Sequence, residues 1–218
     1  MANSQLVLDL LRAGDADGAR QILEQDPAAS EGRDANGVSL LMHSLYRGRS
    51  DLAELIASKK KALDIFEATS LGHLALLKPY LGDPSTINAH SKDGFTALHF
   101  ACFFGQPEAA RLLIESGAAV DAVAANPTRV MPLHSAAATR NLEAARLLLE
   151  HAVPGMINAR QQGGWVPIHA AAQNGDRAMV DLLLKHHADP KLANDDGKTP
   201  AMVAREKGHE ELASLLEK

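Results

Sequence analysis

Residues 93–101, which read DGFTALHFA, decide the fold of this chain. Similar stretches follow at 129–136 (RVMPLHSA), 164–171 (GWVPIHAA) and 196–204 (DGKTPAMVA), and a degraded copy, NGVSLLMHS, lies at 36–44. Glycines recur behind these stretches at positions 14, 48, 72, 105, 175 and 208, and most neighbours are 33 to 35 residues apart once Arg140 is counted in the series. A period of this length predicts stacked units rather than one globular core.

Each position of the unit has a physical reason. Ser39, Thr96 and Thr199 can cap the first helix of their units, because a side-chain oxygen accepts a hydrogen bond from a free backbone N–H. The glycines that follow suit a left-handed helix end, where a missing Cβ removes the steric penalty. Leu, Ile and Ala at helical spacing then predict a second helix, in the segments PEAARLLIE (107–115), LEAARLLLE (142–150), AMVDLLLK (178–185) and EELASLLEK (210–218).

The repeated stretches resemble the T-P-L-H-x-A signature of ankyrin repeats over nearly the whole chain. The resemblance implies an all-α fold, an ankyrin-repeat solenoid of stacked helix-turn-helix units with projecting β-turn fingers. We expect a single domain over residues 1–218, with approximate units at 1–33, 34–63, 64–90, 91–123, 124–158, 159–193 and 194–218.

Three departures from the pattern carry further predictions. Gly48 and Gly72 are only 24 residues apart, so one finger should be missing, with Asp64 capping the next helix directly. Pro79 lies inside a second helix, where it should cost a backbone hydrogen bond. Arg140 stands where other units have glycine, which predicts a left-handed arginine.

Composition narrows the class of partner. The 22 Lys and Arg residues against 27 Asp and Glu residues give a net charge of −5, which argues against nucleic-acid backbones and anionic membranes as main partners. Cys102 is the single cysteine, so an internal disulfide is excluded and a reducing compartment is favoured. The first twenty residues lack the basic and apolar segments of a secretory signal, and we expect a cytoplasmic location.

The histidines are the first candidates for chemistry. His99, His134 and His169 occupy the same position in three units, but stacked helices lie about 8–10 Å apart, whereas a shared zinc needs nitrogens at about 2.0–2.1 Å. We therefore interpret them as buried imidazoles bonded to loop backbone. No catalytic residue, metal ligand or cofactor-binding residue is predicted, and we expect the protein not to be an enzyme.

Two main classes of function stay open, and a third is possible. The resemblance favours a protein-binding module whose partner, of unknown identity, lies on the concave face and finger tips. A small-molecule-binding protein or enzyme that uses the same groove is the second class, and a homo-oligomeric structural scaffold is the third. The polar face of the last helix suits an end cap, and we expect a monomer.

The ankyrin resemblance also implies which positions contact a partner: the finger tips and the last residues of each first helix. Five of the eight aromatic residues of the chain fall on such positions, as expected of binding hot spots. Phe95, Phe103 and Phe104 could instead cover the gap left by the missing finger. The predicted partner-binding residues are Tyr46, Arg47, Phe95, Phe103, Phe104, Arg129, Val130, Thr139, Trp165, Gln173, Asn174 and Lys198.

Overall fold

The structure is a computed structural model that describes the backbone of residues 2–217 and the side chains of residues 3–217. Fifteen α-helices follow one another in this part of the chain, and it contains no β-strand beyond one isolated bridge between Arg33 and Ser39. The predicted all-α class is therefore confirmed.

The helices form two layers. The first helix of each unit lies in one layer: α1 (Ala2–Ala13), α3 (Leu40–Tyr46), α5 (Ile65–Leu71), α8 (Ala97–Phe103), α10 (Pro132–Ala138), α12 (Pro167–Asn174) and α14 (Pro200–Glu206). The second layer holds α2 (Ala16–Gln25), α4 (Ser50–Lys59), α6 (Leu74–Leu77), α9 (Pro107–Glu115), α11 (Leu142–Glu150), α13 (Arg177–Lys185) and α15 (Glu210–Leu216). Each first-layer helix packs on the next one along the chain, so the fold is a solenoid.

Small and branched apolar side chains hold the layers together. Ala101, Ala136 and Ala171 are fully buried in the first layer, where their size lets neighbouring helices approach closely. Leu113 and Leu148 are fully buried in the second layer. The apolar core runs through all units, as the helical spacing of Leu and Ala predicts.

Five fingers project from the first layer, and each is closed by a backbone hydrogen bond. We number them as the first (34–38), second (91–95), third (124–130), fourth (161–165) and fifth (194–198) finger. The closing N–H to C=O bonds are 2.8 to 2.9 Å long, from the residue that starts the finger to the tip residue that ends it.

Cap chemistry agrees with the sequence at two of three positions. The oxygens of Ser39 and Thr199 accept from the amides of Met42 and Met202 at 3.3 and 3.4 Å. The prediction for Thr96 was wrong in its detail, because the Thr96 hydroxyl lies 2.8 Å from Nδ1 of His99 instead of binding a helix amide. Because Nδ1 is the acceptor nitrogen of His99, the Thr96 hydroxyl donates its hydrogen to the imidazole.

The missing finger is confirmed. Only Lys60 to Leu63 separate α4 from the Asp64 cap of α5. Asp64 Oδ1 accepts from the Glu67 amide at 2.9 Å, and Glu67 Oε2 accepts from the Asp64 amide at 3.1 Å. This reciprocal capping box starts the helix without a finger before it.

Arg140 behaves as predicted, whereas the prediction that Pro79 lies inside a second helix was wrong. The helix α6 ends at Leu77, and the chain continues through a 3-10 turn over Lys78–Tyr80 and a short helix α7 (Pro84–Ile87). Arg140 adopts a left-handed φ of 60°, close to the 66° of Gly175 at the corresponding place in the next unit.

Candidate functional site

Aromatic rings gather on the face formed by α3, α8 and the second finger. Phe100 is buried and forms the centre, with the rings of Phe95, Phe104 and Phe66 at centroid distances of 5.7, 6.2 and 6.0 Å. Phe103 meets Phe104 edge-on at 5.0 Å. Two turns of one short helix and the adjoining finger tip thus supply most of the phenylalanines of the chain.

Tyr46 closes this aromatic cluster from the neighbouring unit. Its ring lies 5.8 Å from that of Phe104, and its hydroxyl donates a hydrogen bond to Asp93 Oδ2 on the second finger. Burial and the Asp93 carboxylate raise the pKa of Tyr46 far above its ordinary value. The phenol therefore stays protonated and ties α3 to the second finger.

The cluster surrounds an apolar pit of about 110 Å³. Its lining consists of Tyr46, Phe95, His99, Phe100, Phe103 and Ser135. Two residues of the rim are partly exposed to solvent, Tyr46 by 39% and Phe103 by 43%. Large aromatic side chains exposed around an apolar depression are the arrangement found at binding hot spots.

A second cavity, of about 260 Å³, continues from the pit toward the third and fourth fingers. Phe95, Phe103 and Ser135 line both cavities, and Val130, Ala138 and Val166 extend the second one. The two cavities together form a shallow groove along the concave face, which we call the aromatic groove.

The structure brings four of the twelve predicted partner-binding residues to this groove: Tyr46, Phe95, Phe103 and Val130. Phe104 lines neither cavity, but its ring packs against those of Phe103 and Tyr46. Trp165 lines neither cavity and lies against the ring of His169, with centroids 5.4 Å apart. Lys198 forms an ion pair with Glu206 at 2.8 Å. Gln173 and Arg129 are exposed farther along the face.

Three of the predicted polar residues are engaged within the protein. Asn174 donates from Nδ2 to the carbonyl oxygen of Ala138 at 2.9 Å, and Thr139 donates to that of Cys102 at 3.2 Å. Arg47 donates to the carbonyl oxygen of His43 at 3.1 Å. These bonds link neighbouring units or hold a helix end, so the side chains are partly occupied before any partner arrives.

Sequence reasoning missed Phe100, which forms the floor of the pit. Its signal is the four-residue spacing from Phe104, which places both rings on one side of α8 and its end. Ser135 was missed as well, because a small residue in a buried helix shows its role only once the neighbouring helix is in place.

The missing finger leaves a notch of about 470 Å³ between the first and second fingers. Phe66 and Phe100 line the notch, whereas Phe95, Phe103 and Phe104 do not. The alternative in which these three phenylalanines cover the gap therefore has no support in the geometry.

The repeat histidines are held by backbone, as the sequence predicts. Nδ1 accepts from the amide of the residue three positions earlier, at 3.1 to 3.2 Å in all three cases. Nε2 of His99, His134 and His169 lies 3.0 Å from a backbone carbonyl oxygen of the next finger or its approach. Burial lowers the pKa of His99 and of His134 to about 4, so both imidazoles are neutral at physiological pH.

Among the residues that the structure describes, no three His, Cys, Asp or Glu side chains converge as metal ligands would. Cys102 is fully buried, and desolvation raises the pKa of its thiol. A buried thiol of this kind is a poor nucleophile, because the thiolate is the reactive form. Over the same described residues, no helix combines the length and the apolar character needed to cross a bilayer.

Comparison with known proteins agrees with the geometry. The family model described as ankyrin repeats (3 copies) matches residues 65–161 and 151–218, which together span more than half of the chain. No curated protein matches the sequence. Ankyrin repeats are generally protein–protein interaction modules. The chain belongs to the ankyrin-repeat family.

Proposed function

We propose that this protein is an interaction module that binds a protein partner through its concave face, with the aromatic groove as the centre of the site. The observation that carries the proposal is the apolar pit beneath Phe103 and Tyr46. A monomer that left these rings in water without a use for them would carry an avoidable risk of aggregation.

The pit suits one aliphatic or aromatic side chain of the partner. Its lining is almost entirely carbon, and Phe100 at its floor is fixed by three neighbouring rings. A rigid apolar pocket costs little conformational entropy when it is filled, so a single anchor residue can supply much of the binding free energy.

The remaining predicted positions would contact the partner around this anchor. We propose rim contacts for Arg47, Arg129, Val130, Thr139, Trp165, Gln173, Asn174 and Lys198, which lie on finger tips or first-helix ends along the same face. Rim residues exclude water and set specificity, and each is expected to contribute less than the central rings.

We further propose that the protein works without catalysis of its own, as a monomer of one domain in the cytoplasm. The continuous core supports a single domain. The backbone bonds of the repeat histidines support a structural role for them rather than a catalytic one.

The test is a selection from a random displayed-peptide library on the wild-type protein, followed by affinity measurements with variants. Phe103→Ala and Tyr46→Ala should each weaken the selected peptides by about 1–4 kcal/mol. Glu115→Ala and Glu150→Ala, on exposed second-layer positions, are the matched controls and should leave affinity unchanged.

Selected peptides should share an apolar anchor residue. Peptides that bind the Phe103→Ala and Tyr46→Ala variants as tightly as wild type would place the site elsewhere. A library that yields no binder to the wild-type protein would contradict the proposal as a whole.

A further inference from the structure

The fingers of this protein are joined to one another by a repeated backbone contact. Ala125 of the third finger donates its amide to Gly94 O of the second at 2.7 Å. The fourth finger bonds the third in the same way, from Gln162 to Thr128 O at 2.9 Å, and the fifth bonds the fourth, from Asp195 to Gly163 O at 2.9 Å. The contact is a regular property of adjacent fingers here.

At the notch this series is interrupted. Lys92 occupies the position in the second finger that corresponds to Ala125, Gln162 and Asp195. Its amide finds no acceptor among the described residues, because the finger that would precede it is missing. The residue that carries this unused backbone donor lines a cavity of about 470 Å³.

The opposite wall of the notch is built like the wall that receives the fifth finger. Arg33, just before the first finger, donates from Nη1 to Gly37 O at 3.1 Å. Arg160, just before the fourth finger, donates from Nη1 to Gly164 O at 3.2 Å. The two arginines thus make the same bond within their own fingers.

The two arginines differ in their contacts with the next finger, because only Arg160 has a finger beside it. Arg160 Nη2 donates to Ala193 O, at the approach to the fifth finger, at 2.7 Å, and Nη1 lies 3.8 Å from Asp195 Oδ1. Arg33 has no such finger beside it and pairs with Asp64 at 3.1 Å. The fifth finger, which Arg160 contacts, is acidic and has the sequence Asn-Asp-Asp-Gly-Lys.

The charged side chains that line the notch are Arg33, Lys92, Asp64 and Asp93. Asp64 is paired with Arg33, and Asp93 accepts hydrogen bonds from Tyr46 and from Ser91. The exposed ammonium of Lys92 has no carboxylate partner among the described residues. The two cations and two carboxylates of the notch balance in formal charge, so it is the unpaired ammonium of Lys92, and not a net positive charge, that lies beside the unused amide.

The side chain of Lys92 also lies against the first finger. A side-chain carbon placed on Gly37 would lie 3.0 Å from Lys92 Cγ, so the stem of Lys92 passes over the first finger. His90, at the other side, is held by a 3.0 Å bond between Nε2 and Val123 O. Lys92 is thus an exposed cation that reaches from the second finger to the first.

We propose that the notch is a second subsite for the partner and that it takes an acidic, turn-forming loop in place of the missing finger. The inference rests on the proposed partner-binding function and adds the chemistry of one contact. A carbonyl oxygen of the loop accepts from the Lys92 amide, and a carboxylate of the loop pairs with the Lys92 ammonium. A cavity of this volume suits a whole turn rather than a single small anion.

A second copy of the chain is a weaker occupant than a partner loop. Its acidic fifth finger already donates the Asp195 amide to Gly163 O of its own fourth finger. Entering the notch of another molecule would break that bond and the contacts of Arg160, whereas a free loop brings its backbone groups unpaired.

The probe for the test is a head-to-tail cyclised peptide of residues 192–199, Leu-Ala-Asn-Asp-Asp-Gly-Lys-Thr, which copies the acidic finger. Binding is followed by titration of the ¹⁵N-labelled protein at millimolar peptide. We expect the amide resonance of Lys92 to shift, and Lys92→Glu to weaken binding by about threefold to fivefold. Lys185→Glu makes the same charge change at the exposed end of α13 and should have no effect.

The outcomes separate the proposals. A peptide with both aspartates replaced by asparagine should lose most of its affinity, and Phe103→Ala should retain binding of the acidic peptide. Three results would each overturn the inference. They are equal affinity for the neutral and the acidic peptide, an unshifted Lys92 amide resonance, and an equal loss of peptide affinity in Lys92→Glu and Lys185→Glu. Dimers of the wild-type chain in sedimentation that Lys92→Glu abolishes would also overturn it, in favour of a second copy. The aromatic groove is tested separately by its own selected peptides.

Discussion

The ammonium of Lys60 lies 3.3 Å from Glu67 Oε1, and the two side chains are only 2% and 1% exposed. This ion pair stands where the chain omits a finger, and Glu31 adds a second carboxylate oxygen at 3.4 Å from the Lys60 nitrogen. A cation and an anion taken out of water together compensate each other only as long as both are present.

Removal of one member should therefore cost far more than removal of both. We expect Lys60→Met to lower the free energy of unfolding by about 3–5 kcal/mol, because Glu67 is left buried without its cation. In the double variant Lys60→Met with Glu67→Gln, the amide oxygen can still accept from Asp64, and most of the loss should be recovered. Urea denaturation of the wild type, the single variant and the double variant measures these free energies of unfolding. A single variant that is at least as stable as the double variant would contradict the prediction.

Arg140 provides a test of backbone strain. Its left-handed φ of 60° is costly for a residue with a Cβ, so Arg140→Gly should be about 1 kcal/mol more stable than Arg140→Ala. Relative to wild type the gain is smaller, because Arg140 also donates from Nη2 to the carbonyl oxygen of Asn174. Equal denaturation midpoints for the glycine and alanine variants would argue against strain.

The buried histidines predict a dependence of stability on pH. The pKa of His99 and of His134 is about 4 in the folded protein, below the ordinary 6.5, so the unfolded chain binds protons more readily between these values. Stability is then fully present above pH 6.5 and is lost as the pH falls toward 4. Protonation linked to each histidine should lower the free energy of unfolding by about 2 kcal/mol between pH 7 and pH 5.

Replacement of one histidine checks this assignment. His134→Gln should lower stability at pH 7, since the bonds to Met131 and Ala159 are disturbed, and should flatten the loss between pH 7 and pH 5. Chemical denaturation at several pH values measures both effects. An unchanged pH profile would mean that other groups control acid unfolding. Stoichiometric zinc in the purified protein, lost in a His134→Gln and His169→Gln double variant, would contradict the structural role.

Local sequence was sufficient for much of the fold because each unit is specified by its own residues. The Asp64 cap, the left-handed Arg140 and the missing finger all follow from spacing within a few dozen residues. Contacts between units are harder to predict. Met42, in the unit before the notch, and Met202, in the last finger-bearing unit, occupy the position that His99 has in its own unit. Neither of these two units is followed by a finger that could offer a carbonyl oxygen to an imidazole.

The candidate site shows the same limit. The sequence placed Tyr46, Phe95, Phe103 and Phe104 on one face, but it did not show that Phe100 forms a floor beneath them. Nor did it show that Lys60 and Glu67 form a buried pair, because a lysine next to another lysine at a helix end is usually a solvated residue. Such features depend on which side chains meet across units.

Packing between the layers is tested at Leu148. This side chain is fully buried in α11, and Leu148→Ala should lower the free energy of unfolding by about 2–5 kcal/mol through the cavity it leaves. Glu150→Ala, exposed on the same helix, should change stability by less than about 0.5 kcal/mol. Thermal or urea denaturation distinguishes the two, and a loss below about 1 kcal/mol at Leu148 would mean that α11 is not packed as described.

Phe100 and Phe103 should separate the floor of the pit from its rim. Phe100 is only 3% exposed and contacts the rings of Phe66, Phe95 and Phe104, so Phe100→Ala should destabilise the protein by about 3–5 kcal/mol. Phe103 is 43% exposed, and Phe103→Ala should cost less than about 1 kcal/mol while it weakens binding of peptides selected on the wild-type protein. Denaturation and peptide affinity are measured on both variants. If Phe103→Ala destabilises the protein as much as Phe100→Ala does, the exposed ring belongs to the core and not to a binding surface.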